Sequence, residues 1–74
     1  MGVKLHPVLR YRRMRARKKL RQYDRQIRTN EKYASDFGRH PSTAANFRGV
    51  AKSLKPYREE VAAEERRLTN LINS

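Results

Sequence analysis

The side chains of this sequence with the greatest chemical reach are closely spaced arginines. Arg10-Tyr11-Arg12-Arg13-Met14-Arg15-Ala16-Arg17-Lys18-Lys19-Leu20-Arg21 is succeeded at wider spacing by Arg25, Arg28 and Lys32. A guanidinium stays charged at any physiological pH, and its planar fork can hold two phosphate oxygens at once or stack on a base. Between Arg10 and Arg28 there is one acid, Asp24. Like charges four residues apart destabilise an isolated helix, so a run of one sign calls for a polyanion rather than for water alone. We therefore expect Arg10, Arg12, Arg13, Arg15, Arg17, Lys18, Lys19, Arg21, Arg25, Arg28 and Lys32 to contact nucleic acid. Tyr11, set among them, is expected to stack on an exposed base or to bond a phosphate through its hydroxyl.

Other chemistry finds little support. The chain has no Cys, which excludes disulfides and thiolate metal sites. His6 and His40 are too few and too far apart for a metal site, and no cofactor is expected. Asp36-Phe37-Gly38 spells the metal-binding tripeptide of protein kinases, but 74 residues leave no room for that fold, and neither a Gly-rich loop nor a catalytic loop accompanies it. Glu59, Glu60, Glu64 and Glu65 stand beside Arg66 and Arg67 and read as surface charges and helix-dipole partners rather than catalytic carboxylates. No Ser–His–Asp arrangement and no phosphate-binding glycine loop is present. The sequence predicts no catalytic residue, no small-molecule substrate and no enzyme.

The elements that must carry the arginines are helical. From Pro7, which suits a first helical turn, to about Tyr33 the chain has no internal Gly or Pro and is rich in good helix formers. Leu9, Arg13, Ala16, Leu20, Tyr23, Ile27, Asn30 and Ala34 alternate three and four apart and so share one narrow face. On such a helix Arg10, Arg17, Lys18, Arg21, Arg25, Arg28 and Lys32 occupy one flank, and Arg12, Arg15 and Lys19 the other. Residues 35–42 are written as a turn, with Gly38 suited to a left-handed stop, Pro41 forbidding continuation, and Ser42 or Thr43 able to cap the next helix. A second stripe runs Phe47, Val50, Leu54, Tyr57, Val61, Glu64, Leu68 and Leu71, with Phe47, Tyr57 and Tyr23 as core aromatics. It keeps phase through Pro56, which leaves either one long helix kinked there or two helices. Pro56 with Glu59 and Glu60 resembles a fresh N-terminus, so the preferred reading is a helix from about Thr43 to Leu54 and another from Pro56 to Ile72. Leu20 and Ile27 are expected to face Leu54, Val61 or Leu68.

The fold expected is thus all-α, a single small basic domain over 1–74. A long N-terminal helix packs against one kinked or two shorter C-terminal helices, as a helical hairpin or a three-helix arrangement, and residues 1–7 form a flexible end. Hydrophobic residues make up 36% and charged residues 35%, which is poor in core and rich in charge for a soluble domain. A core this small supplies only ~3–5 kcal/mol, so some of the order is expected to come from a partner.

The net charge is +12, with 13 basic and three acidic residues in 1–40 against six and four in 41–74. The N-terminal half therefore faces the polyanion. No segment reaches the ~20 apolar residues of a membrane span, and the start lacks the apolar region of a secretory signal. Met1-Gly2 opens like a myristoylation signal but has His6 where Ser or Thr is required. Although the Arg-rich start is compatible with a transit peptide, its merging with a packing stripe argues against that reading. An intracellular location, or one inside a particle, is expected.

These features predict a structural nucleic-acid-binding protein, foremost an RNA-binding component of a ribonucleoprotein particle such as a ribosome, with neighbouring proteins in a larger assembly. In general form the chain is similar to several small helical ribosomal proteins, without a shared motif. A DNA-binding or DNA-condensing virion or nucleoid protein is the alternative, and a helical partner or inhibitor of another protein is a third that leaves the charge without a role. Helix-turn-helix recognition around Gly38 is disfavoured, because Arg48, Lys52 and Lys55 are thin for a reading helix.

Overall fold

A computed structural model describes residues 6–74 as two helices, α1 (His6–Asp36) and α2 (Pro41–Asn73), joined by a short turn. Among these residues there is no strand. The helices lie side by side as an antiparallel hairpin whose Cα atoms span 59 × 14 × 12 Å. The flexible end expected for 1–7 falls, over 1–5, outside the described residues, while His6 and Pro7 open α1.

The face of α1 that packs inward is the one its spacing predicts. Ala16, Ile27 and Ala34 are buried, and Leu9, Arg13, Leu20, Tyr23 and Asn30 are half-buried between them. On α2 the inward face is Ala44, Phe47, Ala51, Leu54, Arg58, Val61, Glu65, Leu68 and Ile72, again three and four apart and all buried or half-buried. Cross-helix pairs fix the register, because Arg17 meets Glu65, Asp24 meets Arg58, and Tyr33 meets Phe47. At that register Leu20 lies level with Val61, Ile27 with Leu54, Arg13 with Leu68 and Leu9 with Ile72. The repeat is that of a two-stranded antiparallel coiled coil.

The second stripe read from the sequence is half right. Phe47, Leu54, Val61 and Leu68 do line the seam, but Val50, Tyr57 and Leu71 are 47%, 57% and 49% exposed. Ala51, Arg58, Glu65 and Ile72, one residue later in each repeat, take their places. Hydrophobicity alone favours the larger side chains. The packed hairpin selects Ala51 for close approach, and Arg58 and Glu65 because α1 offers Asp24 and Arg17 opposite them. Tyr57 is therefore not a core residue.

Two further expectations are corrected. Helix α2 runs unbroken through Pro56, so the C-terminal half is one helix and the three-helix arrangement does not form. Proline removes the bond to the carbonyl of Lys52; since both residues are exposed, water can satisfy that oxygen. At the turn, Gly38 has no positive φ. Its amide instead donates to the Ser35 carbonyl at 3.1 Å, and a Cβ there would lie 3.2 Å from the same oxygen. Neither Ser42 nor Thr43 caps α2. The N-cap is His40, without a side-chain bond, and its carbonyl accepts from the Ala44 amide at 2.9 Å, with Pro41 in the first turn.

Two substitutions test this packing by thermal unfolding followed by circular dichroism. Pro56→Ala restores a helical hydrogen bond on an exposed face and should stabilise the hairpin by up to ~3 kcal/mol. A loss of stability would mean that Pro56 separates two helices. Leu68→Ala empties a seam position only 2% exposed and should cost ~2–5 kcal/mol, with a smaller loss for Leu71→Ala at its exposed position. The reverse order would restore the stripe read from the sequence.

Candidate nucleic-acid interface

The twelve side chains expected at the interface do not act alike, because the seam divides them. Lys18, Arg21, Arg25, Arg28 and Lys32 are all exposed. At ~100° per residue they fall within about 80° of one another, on the side of α1 turned away from the Ala16–Leu20–Tyr23–Ile27 strip. They form a straight basic ridge about 21 Å long at ~1.5 Å per residue. Among the described residues none of the five enters an ion pair. Arg21, Arg25 and Arg28 line a shallow open depression of ≈ 380 Å³ with Thr29 and Asp24.

Toward its N-terminal end the ridge continues into a different surface. Tyr11 and Met14 are 55% and 57% exposed, and the Arg15 guanidinium lies over the Tyr11 ring, 5.9 Å from its centroid. An aromatic ring already paired with a cation offers its other face for stacking. Arg10 is exposed at one edge of the helix. Arg12 and Lys19 are exposed toward the other edge, on a shallow groove that Glu60, Val61 and Glu64 of α2 also line.

Two of the expected contacts belong mainly to the fold. Arg13 sits half-buried in the seam, level with Leu68. Arg17 donates from Nε to Glu65 Oε1 at 2.9 Å, and the Thr69 hydroxyl donates to the same oxygen at 3.0 Å. This pairing and the Arg58–Asp24 pair at 2.9 Å are missed by sequence reasoning, because partners 48 and 34 residues apart are visible only once the register is known. Arg58 also donates to Glu59 at 3.0 Å. Lys55 reaches Glu31 at 3.5 Å, and Arg67 pairs with Glu64 along α2.

The electrostatics reflect these pairs. The hydrogen bond from Arg17, then that from Thr69, holds the Glu65 carboxyl below its ordinary value despite partial burial. The hydrogen bond to Asp24, then that to Glu59, raises the Arg58 guanidinium further. Both acids of α1 that face α2, Asp24 and Glu31, are thus engaged by α2, which leaves the outer basic ridge without an acid committed to it. No His, Asp or Glu cluster that could hold a metal ion occurs among the described residues, and no helix there is long and apolar enough to cross a membrane.

Comparison of the chain with protein-family models, with curated proteins and with solved structures yields no match.

Because the Glu65 pKa is lowered in the folded state, the stability it contributes is complete above its unfolded value of 4.5 and is lost as pH falls through the lower folded value. Glu65→Gln should lower the melting temperature at neutral pH and flatten its decline below pH 4.5. Parallel melting curves of the two proteins down to acid pH would show that this carboxylate is not engaged by Arg17.

Proposed function

We propose that the protein is a structural nucleic-acid-binding component, acting on RNA in a ribonucleoprotein assembly, and that it binds through the outer ridge of α1 rather than through all twelve residues of the basic run. The observation that carries this reading is the spatial sorting of charge. Lys18, Arg21, Arg25, Arg28 and Lys32 project from one face and enter no ion pair among the described residues, while Asp24 and Glu31 pair with Arg58 and Lys55 of α2.

A ridge of about 21 Å runs past roughly a dozen phosphates of a duplex carrying one charge per ~1.7 Å. Five to seven charge-assisted contacts are within its reach when Arg15 and Arg10 join at the N-terminal end. Such contacts fix position and orientation without reading bases. The ridge is a convex helix backed by a second helix. That shape suits the phosphate walls of folded RNA, where form and charge dominate recognition. The exposed Tyr11 with Arg15 over its ring adds a stacking platform suited to an unpaired base.

The test is the salt dependence of binding to a folded RNA, with a B-DNA duplex in parallel. Affinity should fall steeply with salt, with a log-log slope of roughly −4 to −6 on duplex DNA and a shallower one on single strands. Arg21→Gln, Arg25→Gln and Arg28→Gln together should reduce the slope by about three and weaken binding alike across sequences. The same change at Arg66 and Arg67 with Lys52 should do much less. Equal losses from the two triple variants, or binding independent of salt, would reject the ridge as the interface. Tighter binding to the DNA duplex than to every RNA would transfer the reading to a DNA-binding protein.

A further inference from the structure

The ridge accounts for the outer face of α1 but not for the shallow groove beside its N-terminal half. That groove has a volume of ≈ 1010 Å³ and combines the apolar Tyr11, Met14, Ala16 and Val61 with five basic side chains, all from α1, and two carboxylates, both from α2. One of the carboxylates, Glu64, is already engaged by Arg67. Positive charge is in excess, and the occupant that it calls for is a polyanion. The groove begins at the seam, with buried Ala16 and half-buried Val61, and reaches round the flank of α1 to Met14, Lys18 and Arg21 on the ridge side. Lys18 and Arg21 therefore belong to both surfaces, and a strand can pass from one to the other without leaving positive charge.

We propose that this groove takes an unpaired segment of the RNA, so that the nucleic acid recognised is a duplex flanked by a few unpaired nucleotides. The duplex phosphates lie on the ridge and the unpaired bases in the groove, which presupposes the ridge as the phosphate contact proposed above. A duplex alone hides its base faces in the stack and would leave exposed Tyr11 and Met14 unused. An unpaired strand offers phosphates to the cations and π-faces to the apolar side chains together. Along α1 the groove extends from Tyr11 to Gln22, about 16 Å at ~1.5 Å per residue. That length holds up to about five nucleotides stacked at ~3.4 Å.

The separation of sign across the groove also orients the strand. Phosphates follow Arg12, Arg15 and Lys19 on α1, and base edges point toward α2. There Glu60, which enters no ion pair among the described residues, can accept from a base amino group. An anionic membrane satisfies the same cations but suits the shape less well. Its flat surface would meet Tyr11 and Met14 and would not reach Ala16 and Val61 at the seam.

The test is the affinity of the full chain, by fluorescence anisotropy at one salt concentration, for RNAs of equal phosphate number. One is a blunt duplex, one a shorter duplex with an unpaired extension of about five nucleotides, and one the same with the extension abasic. The natural extension should bind at least ~5-fold tighter than either of the others. Tyr11→Ala, at an exposed position, should remove most of that advantage while leaving blunt-duplex affinity and helix content by circular dichroism in place. Arg25→Gln with Arg28→Gln should instead weaken binding to all the RNAs alike. Equal affinity for blunt and extended duplexes overturns the junction and leaves the ridge standing. An abasic extension as good as the natural one overturns it too, because the groove would then meet only phosphates. Tighter, Tyr11-dependent binding to phosphatidylserine vesicles than to the extended RNA would make the groove a membrane contact. Binding to no RNA at all would remove the ridge reading together with this one.

Discussion

A hairpin of two helices has one seam, and everything else about this molecule depends on which strip of each helix enters it. A single neighbour covers only a narrow stripe along a helix. Here the α1 stripe holds Ala16, Leu20, Tyr23 and Ile27, and the α2 stripe holds Ala51, Leu54, Val61 and Leu68 with Arg58 and Glu65 between. Choosing these residues commits the rest of each helix to the outside. On α1 the consequence is a ridge of five basic side chains that enter no ion pair among the described residues, and on α2 it is an exposed apolar strip. Both surfaces are what one seam leaves over.

The seam is also weak for its length. Arg13, Asn30, Arg58 and Glu65 interrupt the apolar layers, and no large side chain is fully enclosed among the described residues. The Arg17–Glu65 and Arg58–Asp24 pairs satisfy Glu65 and Arg58, Asn30 donates to the Gln26 carbonyl, and no buried side-chain polar atom of the described residues lacks a partner. Ion pairs open to solvent contribute only ~0–1 kcal/mol each. Their larger role is to specify register, because sliding the helices by one turn would bring Arg58 and Glu65 against the wrong partners. Stability rests mainly on Ile27, Leu54, Leu68 and Ile72, against a net charge of +12.

The α1 face is legible in the sequence residue by residue from Leu9 to Ala34, because that stripe is bounded on both sides by charge and admits one phase. The α2 face is not, because its apolar sector spans two phases. Val50 and Tyr57 are more hydrophobic than Ala51 and Arg58, and a periodicity count must prefer them. The deciding residues lie on the other helix, at Asp24 and Arg17, and pairwise complementarity across a hairpin leaves no trace in the local spacing of either helix. Pro56 misleads for a related reason: proline is a strong local stop, yet on an exposed face of a helix held by packing on its other side the lost bond is replaced by water. Gly38 misleads because the turn needs its lack of a Cβ rather than a left-handed backbone.

Arginine illustrates why composition alone overstates an interface. Arg13, Arg17 and Arg21 are identical in chemistry and four residues apart, yet one lies in the seam, one clamps a carboxylate of the opposite helix, and one stands on the outer face. A charge half-buried against its own protein is already partly neutralised and releases fewer counterions when a phosphate approaches. A charge at the crest of a ridge retains its full counterion atmosphere. The ridge charges also repel each other along α1 at spacings of three and four. A polyanion laid along the ridge would remove that repulsion at the same time as it gains contacts, so binding and helix stability would be coupled through the same five side chains. The Arg17–Glu65 clamp contributes to that coupling only indirectly, by holding α1 in the register that turns the ridge outward.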